Sequence, residues 1–123
     1  TRMKVRVPID LTDRVERLLV QKCQSLIGLA RRAGQAVTVL TKIEAWLKLG
    51  KPTGVFIAAV DMAEHRRKKI WAWAEGAPII LALRAEELGL AFSRDHVVHV
   101  IISPGPLANN LRATALRLGE LRC

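Results

Sequence analysis

Apolar residues recur from Leu11 through Val15, Leu18, Leu19, Leu26 and Leu29 to Ala33, the rhythm of one helix face. Asp10 stands where an N-cap belongs. Asp13 falls in the first turn, where its charge meets the positive end of the helix dipole. Gly34 follows the last periodic residue and can close the helix in a left-handed conformation. Ahead of this helix, residues 1–9 alternate charged and apolar side chains and include Pro8, which predicts an extended arm. Ala36-Val37-Thr38 predicts a short strand. Leu40, Ile43 and Leu47 share one face of a second helix, which Gly50 ends with Pro52 just beyond. The unbroken apolar run from Val55 to Val60 suits a strand covered on both faces. Asp61 and Glu64 form a capping pattern for a third helix that Gly76 closes. Pro78 to Leu83 predicts another strand, and Ala85 to Leu90 a short helix with Glu86 and Glu87 in its first turn. Val97 to Ile102 predicts the last strand. Ser103 then caps a final helix with Pro104 at its first position, where a missing N–H does no harm.

Strands and helices alternate throughout. The pattern predicts an α/β fold, a three-layer α/β/α sandwich around a mixed, mostly four-stranded central sheet. A length of 123 residues suits one domain, here 10–123 behind the arm. Neither a repeat nor a linker-like stretch is visible. With half the residues hydrophobic and a quarter charged, a packed core is expected and wholesale disorder is excluded.

Charge narrows the partners. The chain carries 20 Lys+Arg against 11 Asp+Glu, a formal +9. Residues 1–35 hold eight basic and three acidic groups, so more than half the excess sits in the first third. A polyanion is the expected partner, nucleic acid or an anionic membrane surface. The membrane is set aside. No apolar run approaches the roughly 20 residues of a span, and no basic amphipathic helix carries a broad leucine or aromatic face. The first ten residues lack the apolar core of a signal peptide. Cys23 and Cys123 make neither a disulfide framework nor a metal cluster, so a reducing, cytoplasmic setting without metal or cofactor is expected.

Catalysis finds little support. The sequence has no Gly-x-Gly-x-x-Gly or Walker loop. His96 and His99, three apart in or beside a strand, face opposite ways. His65 lies in a basic run, and Cys23 reads as a small buried hydrophobe. No nucleophile stands beside a recognisable base, so the expectation is a protein that is not an enzyme. Arg66, Arg67, Lys68 and Lys69 follow His65 and must partly face solvent, either as a solvated face or as a patch for phosphates. Trp71 and Trp73, two apart, point about 200° from each other on a helix, so one covers a core edge and the other is left to stack or stay partly exposed. Arg31-Arg32-Ala33-Gly34-Gln35 marks a helix-to-strand junction. Its cations suit the carbonyl end of a helix, and with Lys42 and Lys48 they also suit phosphates.

The stretch Ser25-Leu26-Ile27-Gly28-Leu29-Ala30-Arg31-Arg32-Ala33-Gly34-Gln35-Ala36-Val37 resembles the bacterial branch of the ribosomal-protein superfamily that binds kink-turn RNA, the family of the archaeal "seven-Ae" and eukaryotic "thirty-e" proteins. The resemblance continues through Leu47–Lys51, Val55–Asp61, Ala77–Ile80, Glu87–Ala91 and Val97–Ile102, and covers about residues 22 to 118. It implies the same sandwich fold. Lys4 to Leu11 is similar to the last stretch of a YlxR-type nucleic-acid-binding domain, which implies that the chain is the C-terminal part of such a fusion.

In that family a Gly-x-Asn-Glu motif opens the second helix and reads sheared base pairs. Alignment through Gly50 places Val39, Leu40, Thr41 and Lys42 there, so a guanine-reading carboxylate has become a cation suited to phosphate. The family's second contact, a loop after the third strand, aligns with Leu83, Arg84 and Ala85. The resemblance thus implies a non-catalytic domain that binds structured RNA, with ribosomal RNA among the candidates, through Arg31, Arg32, Gly34, Val39, Leu40, Thr41, Lys42, Leu83, Arg84 and Ala85, gathered near one end of the sandwich. Val39 and Leu83 would support an unstacked base, with Arg66, Arg67, Lys68 and Lys69 as a secondary patch. Two other readings stand beside it: a module that docks on a protein of the ribosome or transcription machinery, and the substrate-capturing part of an RNA-modifying enzyme.

Overall fold

The computed structural model describes residues 9–63 and 78–122, together with residues 68 and 72. Along them lie α1 (Ile9–Arg32), β1 (Ala36–Val37), α2 (Leu40–Lys48), β2 (Val55–Ala58), β3 (Ile79–Ile80), α3 (Ala85–Ala91), β4 (His99–Ile102) and α4 (Pro106–Arg122). The sheet order is β1–β4–β2–β3. β4 is antiparallel to both neighbours, while β2 and β3 are parallel. β1, β2 and β3 therefore all point one way, and β4 runs back between them.

The expected mixed sheet is present, and burial explains its layers. Val55, Phe56, Ile57, Ala58, Val100, Ile101 and Ile102 are all fully buried. Successive strand residues face opposite sides, so both faces must be covered. α1 and α4 pack against each other, and Cys23, Ile27 and Ala30 of α1 join Leu111, Ala115 and Leu118 of α4 in the core. From α2, Ile43 reaches the same core.

Two glycine stops hold. Gly34 and Gly50 take φ of +73° and +69°. At the first, Gln35 N–H donates to the Ala30 carbonyl at 2.8 Å and Gly34 N–H to that of Arg31 at 3.1 Å, the double bond pattern that closes a helix on a left-handed residue.

Several boundaries move. The chain is already helical at Ile9, so the expected arm loses that residue, and Asp10 belongs to the first turn instead of capping it. The YlxR-like residues before Ile9 lie outside the described residues. So does most of the expected third helix, including Glu64 and Gly76; Lys68 and Ala72 are helical and exposed. The final helix starts at Pro106 rather than Pro104. Ser103 N–H is still bound to the Gln35 carbonyl at 2.9 Å, so the chain is held at the sheet there and the helix starts later. The strands are also shorter than the apolar runs that predict them.

Candidate nucleic-acid interface

Because β1, β2 and β3 point the same way, the segments that follow them emerge at one end of the sheet. Thr38 to Lys42 follow β1, Ala59 to Asp61 follow β2, and Leu81 to Ala85 follow β3. The residues entering β4 share this end, since Ala58 pairs with His99. β1 and β3 are opposite edges three strand spacings apart, roughly 14 Å.

Hydrogen bonds fix this end. The Thr38 hydroxyl donates to the His99 carbonyl at 2.8 Å and sets the turn into α2. Val39 is the N-cap residue of α2 with φ −74° and ψ 132°, and its side chain makes no capping bond. The first turn of α2 contains no acidic residue, so its positive end is not neutralised from within the helix. Thr41 and Lys42 are exposed there, and Val39 is half-buried.

Across the sheet, Val60 N–H donates to the Leu83 carbonyl at 2.9 Å, and Ala85 N–H donates to Asp61 Oδ1 at 2.9 Å. The loops after β2 and β3 are thereby tied together. Arg84 N–H donates to Glu87 Oε1 at 2.8 Å. That is half a capping box; a guanidinium has no acceptor for the other half. The Arg84 side chain remains 53% exposed, 3.5 Å from carboxylate oxygens of both Glu86 and Glu87.

The expected site residues divide. Thr41, Lys42 and Arg84 are exposed at the common end. Leu83 is fully buried and Ala85 nearly so, so Leu83 supports the loop from beneath and offers no surface to a base. Arg31, Arg32 and Gly34 precede β1, at its opposite end, because Ala36 pairs with Ile102 where β4 leaves the sheet. A short strand separates them from the start of α2. Arg31 lies 5.8 Å above the ring of Phe92, within cation–π reach. The side chain of Leu40 and all of Arg66, Arg67 and Lys69 lie outside the described residues. His96 is exposed and His99 buried. Among the described residues no group of three or more His, Cys, Asp and Glu could hold a metal ion, and no helix is long and apolar enough to cross a membrane.

Sequence reasoning missed the anchor beneath this end. Arg122, near the end of α4, binds Glu87 through two bonds of 2.7 Å. It also donates to Glu16 Oε2 at 3.1 Å and to the Ala82 carbonyl at 2.9 Å. One guanidinium thus joins α1, α3, α4 and the strand-to-helix loop. Burial opposes ionisation of Glu87, but hydrogen bonds from Arg122 and the Arg84 N–H, with both positive charges, hold its carboxyl below the usual range. The same bond from Glu87 raises Arg122. Burial pushes the Cys23 thiol up to about 11, so it stays protonated at neutral pH, as a core residue should.

No protein-family model and no curated protein sequence matches this chain. Solved structures do. A protein of unknown function from Bacillus halodurans superposes with a TM-score of 0.67 at 24% identity, covering 76% of this chain and 96% of the other. The Giardia lamblia 15.5 kD RNA binding protein superposes with a TM-score of 0.59 at 15% identity, covering 84% and 89%. At these identities the likeness is one of fold.

Proposed function

We propose that this chain is a non-catalytic RNA-binding domain that holds structured RNA mainly by its phosphates. The observation that carries the reading is the exposure of Thr41, Lys42 and Arg84 at the end where β1, β2 and β3 finish. The fold shared with the Giardia RNA binding protein and the net charge of +9 support it. An ammonium and a guanidinium donate hydrogen bonds and accept none, so they suit phosphate oxygens more generally than any one base edge. Val39, half-buried beside them, gives an unstacked base an apolar rest in place of Leu83.

The test is titration of a bulged RNA hairpin across a salt series. Neutralising four to six phosphates should give a log–log slope of roughly −3 to −5. A slope near zero, or no saturable binding, overturns the reading. A second reading, docking on a protein, rests on Leu11, Val15 and Leu18, which α1 leaves exposed at helical spacing. Binding that is indifferent to RNA and heparin but saturable with a ribosomal protein fraction would favour it.

A further inference from the structure

Resting on that reading, we infer that the groove between α1 and α3 is a second RNA subsite, which takes an unpaired segment of the same RNA. The groove has a volume of about 450 Å³, within the roughly 300–1,000 Å³ of ordinary ligand clefts. Arg17, Gln21 and Gln24 of α1 form one wall. Arg84, Leu90 and Arg94 stand on the other.

The charges favour an anionic strand. From Arg17 to Ile43 the sequence contains no acidic residue, so the α1 wall offers cations and neutral amides. Glu86, Glu87 and Asp95 also border the groove. Glu87 is matched by Arg122 at 2.7 Å, and Glu86 lies 3.5 Å from Arg84. Arg17 and Arg94 are exposed and pair with no acid among the described residues. They are the two cations left to meet phosphates, against one exposed border carboxylate, Asp95, that no cation among the described residues matches.

The remaining features suit an unstacked base. Leu90 is 71% exposed, a large apolar side chain between charged neighbours. Single-stranded RNA bases rest on apolar side chains and guanidinium planes, and present their edges for hydrogen bonding. The Gln21 amide can both donate to and accept from such an edge. Gln24 gives its amide N–H to the Glu87 carbonyl at 3.0 Å and is thereby held in the wall. Arg84 belongs to both sites, being the N-cap residue of α3 at the common strand end and a lining residue of the groove. A strand leaving the first site past Arg84 enters the groove directly.

The experiment compares two RNAs at matched salt by fluorescence anisotropy: a bulged hairpin, and the same hairpin with a uridine tail on either end. The proteins are the full chain and its variant Arg17→Gln with Arg94→Gln. Both positions are exposed and in no ion pair among the described residues, and a denaturant curve on the variant checks its fold. The tail should tighten binding by the native chain about tenfold, the effect of roughly one well-stacked base. The variant should lose that gain and bind the plain hairpin within about threefold of the native chain. If the tail adds nothing to native binding, or if the variant weakens both RNAs equally, the groove is not a subsite, while the first site stands. If neither RNA binds the native chain, the RNA reading and the groove assignment fall together.

Discussion

Glu87 shows how one residue's surroundings decide its role. In the sequence it is an acidic residue in the first turn of a short helix, worth a few tenths of a kcal/mol at a helix dipole. In the fold it is 8% exposed and bound by two arms of Arg122. Truncating Arg122 leaves this carboxylate buried and uncompensated, so Arg122→Ala should cost on the order of 3 kcal/mol. The sign of the pH dependence follows from the direction of the Glu87 shift, below its ordinary value. A carboxyl depressed in the folded state adds stability that is fully present above its unfolded pKa, about 4.3. That contribution is lost as pH falls through the lower folded value. Glu87→Gln should therefore be less stable than the native chain at pH 7, and the difference should shrink below pH 4. Urea unfolding followed by circular dichroism at both pH values measures it. A difference that is constant with pH would remove the ion pair from the account.

Elements announced by period, by unbroken apolar runs or by glycine were legible in advance. α1 was legible as a helix and Gly34 marks its end, but its buried face, Cys23, Leu26, Ile27 and Ala30, lies beside the one the period picks out, of which Leu11, Val15, Leu18 and Leu29 are exposed. The run at Val55 suits a strand covered on both sides, and the stretch from Val97 predicts the last strand; both are present, shorter than predicted. What did not show was decided by contacts distant in sequence. The Arg122–Glu87 pair spans 35 residues. The burial of Leu83 lies in an apolar stretch without a period, so nothing local says which way it faces. Arg31 and Arg32 were misplaced because the end of the sheet that a junction occupies depends on strand direction. Glycines carry information of the same kind. A Cβ at Gly89 would stand 2.6 Å from the Arg94 carbonyl oxygen and 2.9 Å from that of Asp95. Backbone cannot yield cheaply there, so Gly89→Ala should cost roughly 1–3 kcal/mol and shift the turn that carries Arg94. At Gly28, inside α1, a Cβ meets only Arg32 Nη1 at 3.8 Å. Gly28→Ala should instead raise stability by about 0.5–1 kcal/mol through the lower entropy of the unfolded chain. Thermal unfolding of both variants tests the pair, and shifts of the same sign would contradict the close approach at Gly89.

For the whole molecule, the issue is whether the excess of positive charge acts diffusely or from a place. A domain of +9 attracts RNA at long range whichever cations carry the charge. Removing any two of them weakens that general attraction by a similar amount. Lys42 and Arg84 stand at the end where β1, β2 and β3 finish, whereas Arg31 and Arg32 stand where β1 begins. Lys42→Ala with Arg84→Ala and Arg31→Ala with Arg32→Ala therefore remove equal charge from opposite ends of the sheet. The first pair should weaken hairpin binding about tenfold or more, and should also make the salt slope shallower by nearly two contacts, roughly 1.4–1.8. The second pair should weaken binding only by the shared long-range term and leave the slope close to native. Arg84→Ala also removes weak contacts to Glu86 and Glu87 at 3.5 Å. The contact to Glu86 is exposed and worth little, Glu87 keeps its two bonds from Arg122, and a denaturant curve on the same variant checks that the fold is intact. Titrations of the native chain and both variants against one hairpin, at several salt concentrations, decide the matter. Equal losses from the two pairs would mean that the RNA responds to the charge of the molecule and to neither end, and a larger loss from Arg31 and Arg32 would move the interface to the start of β1.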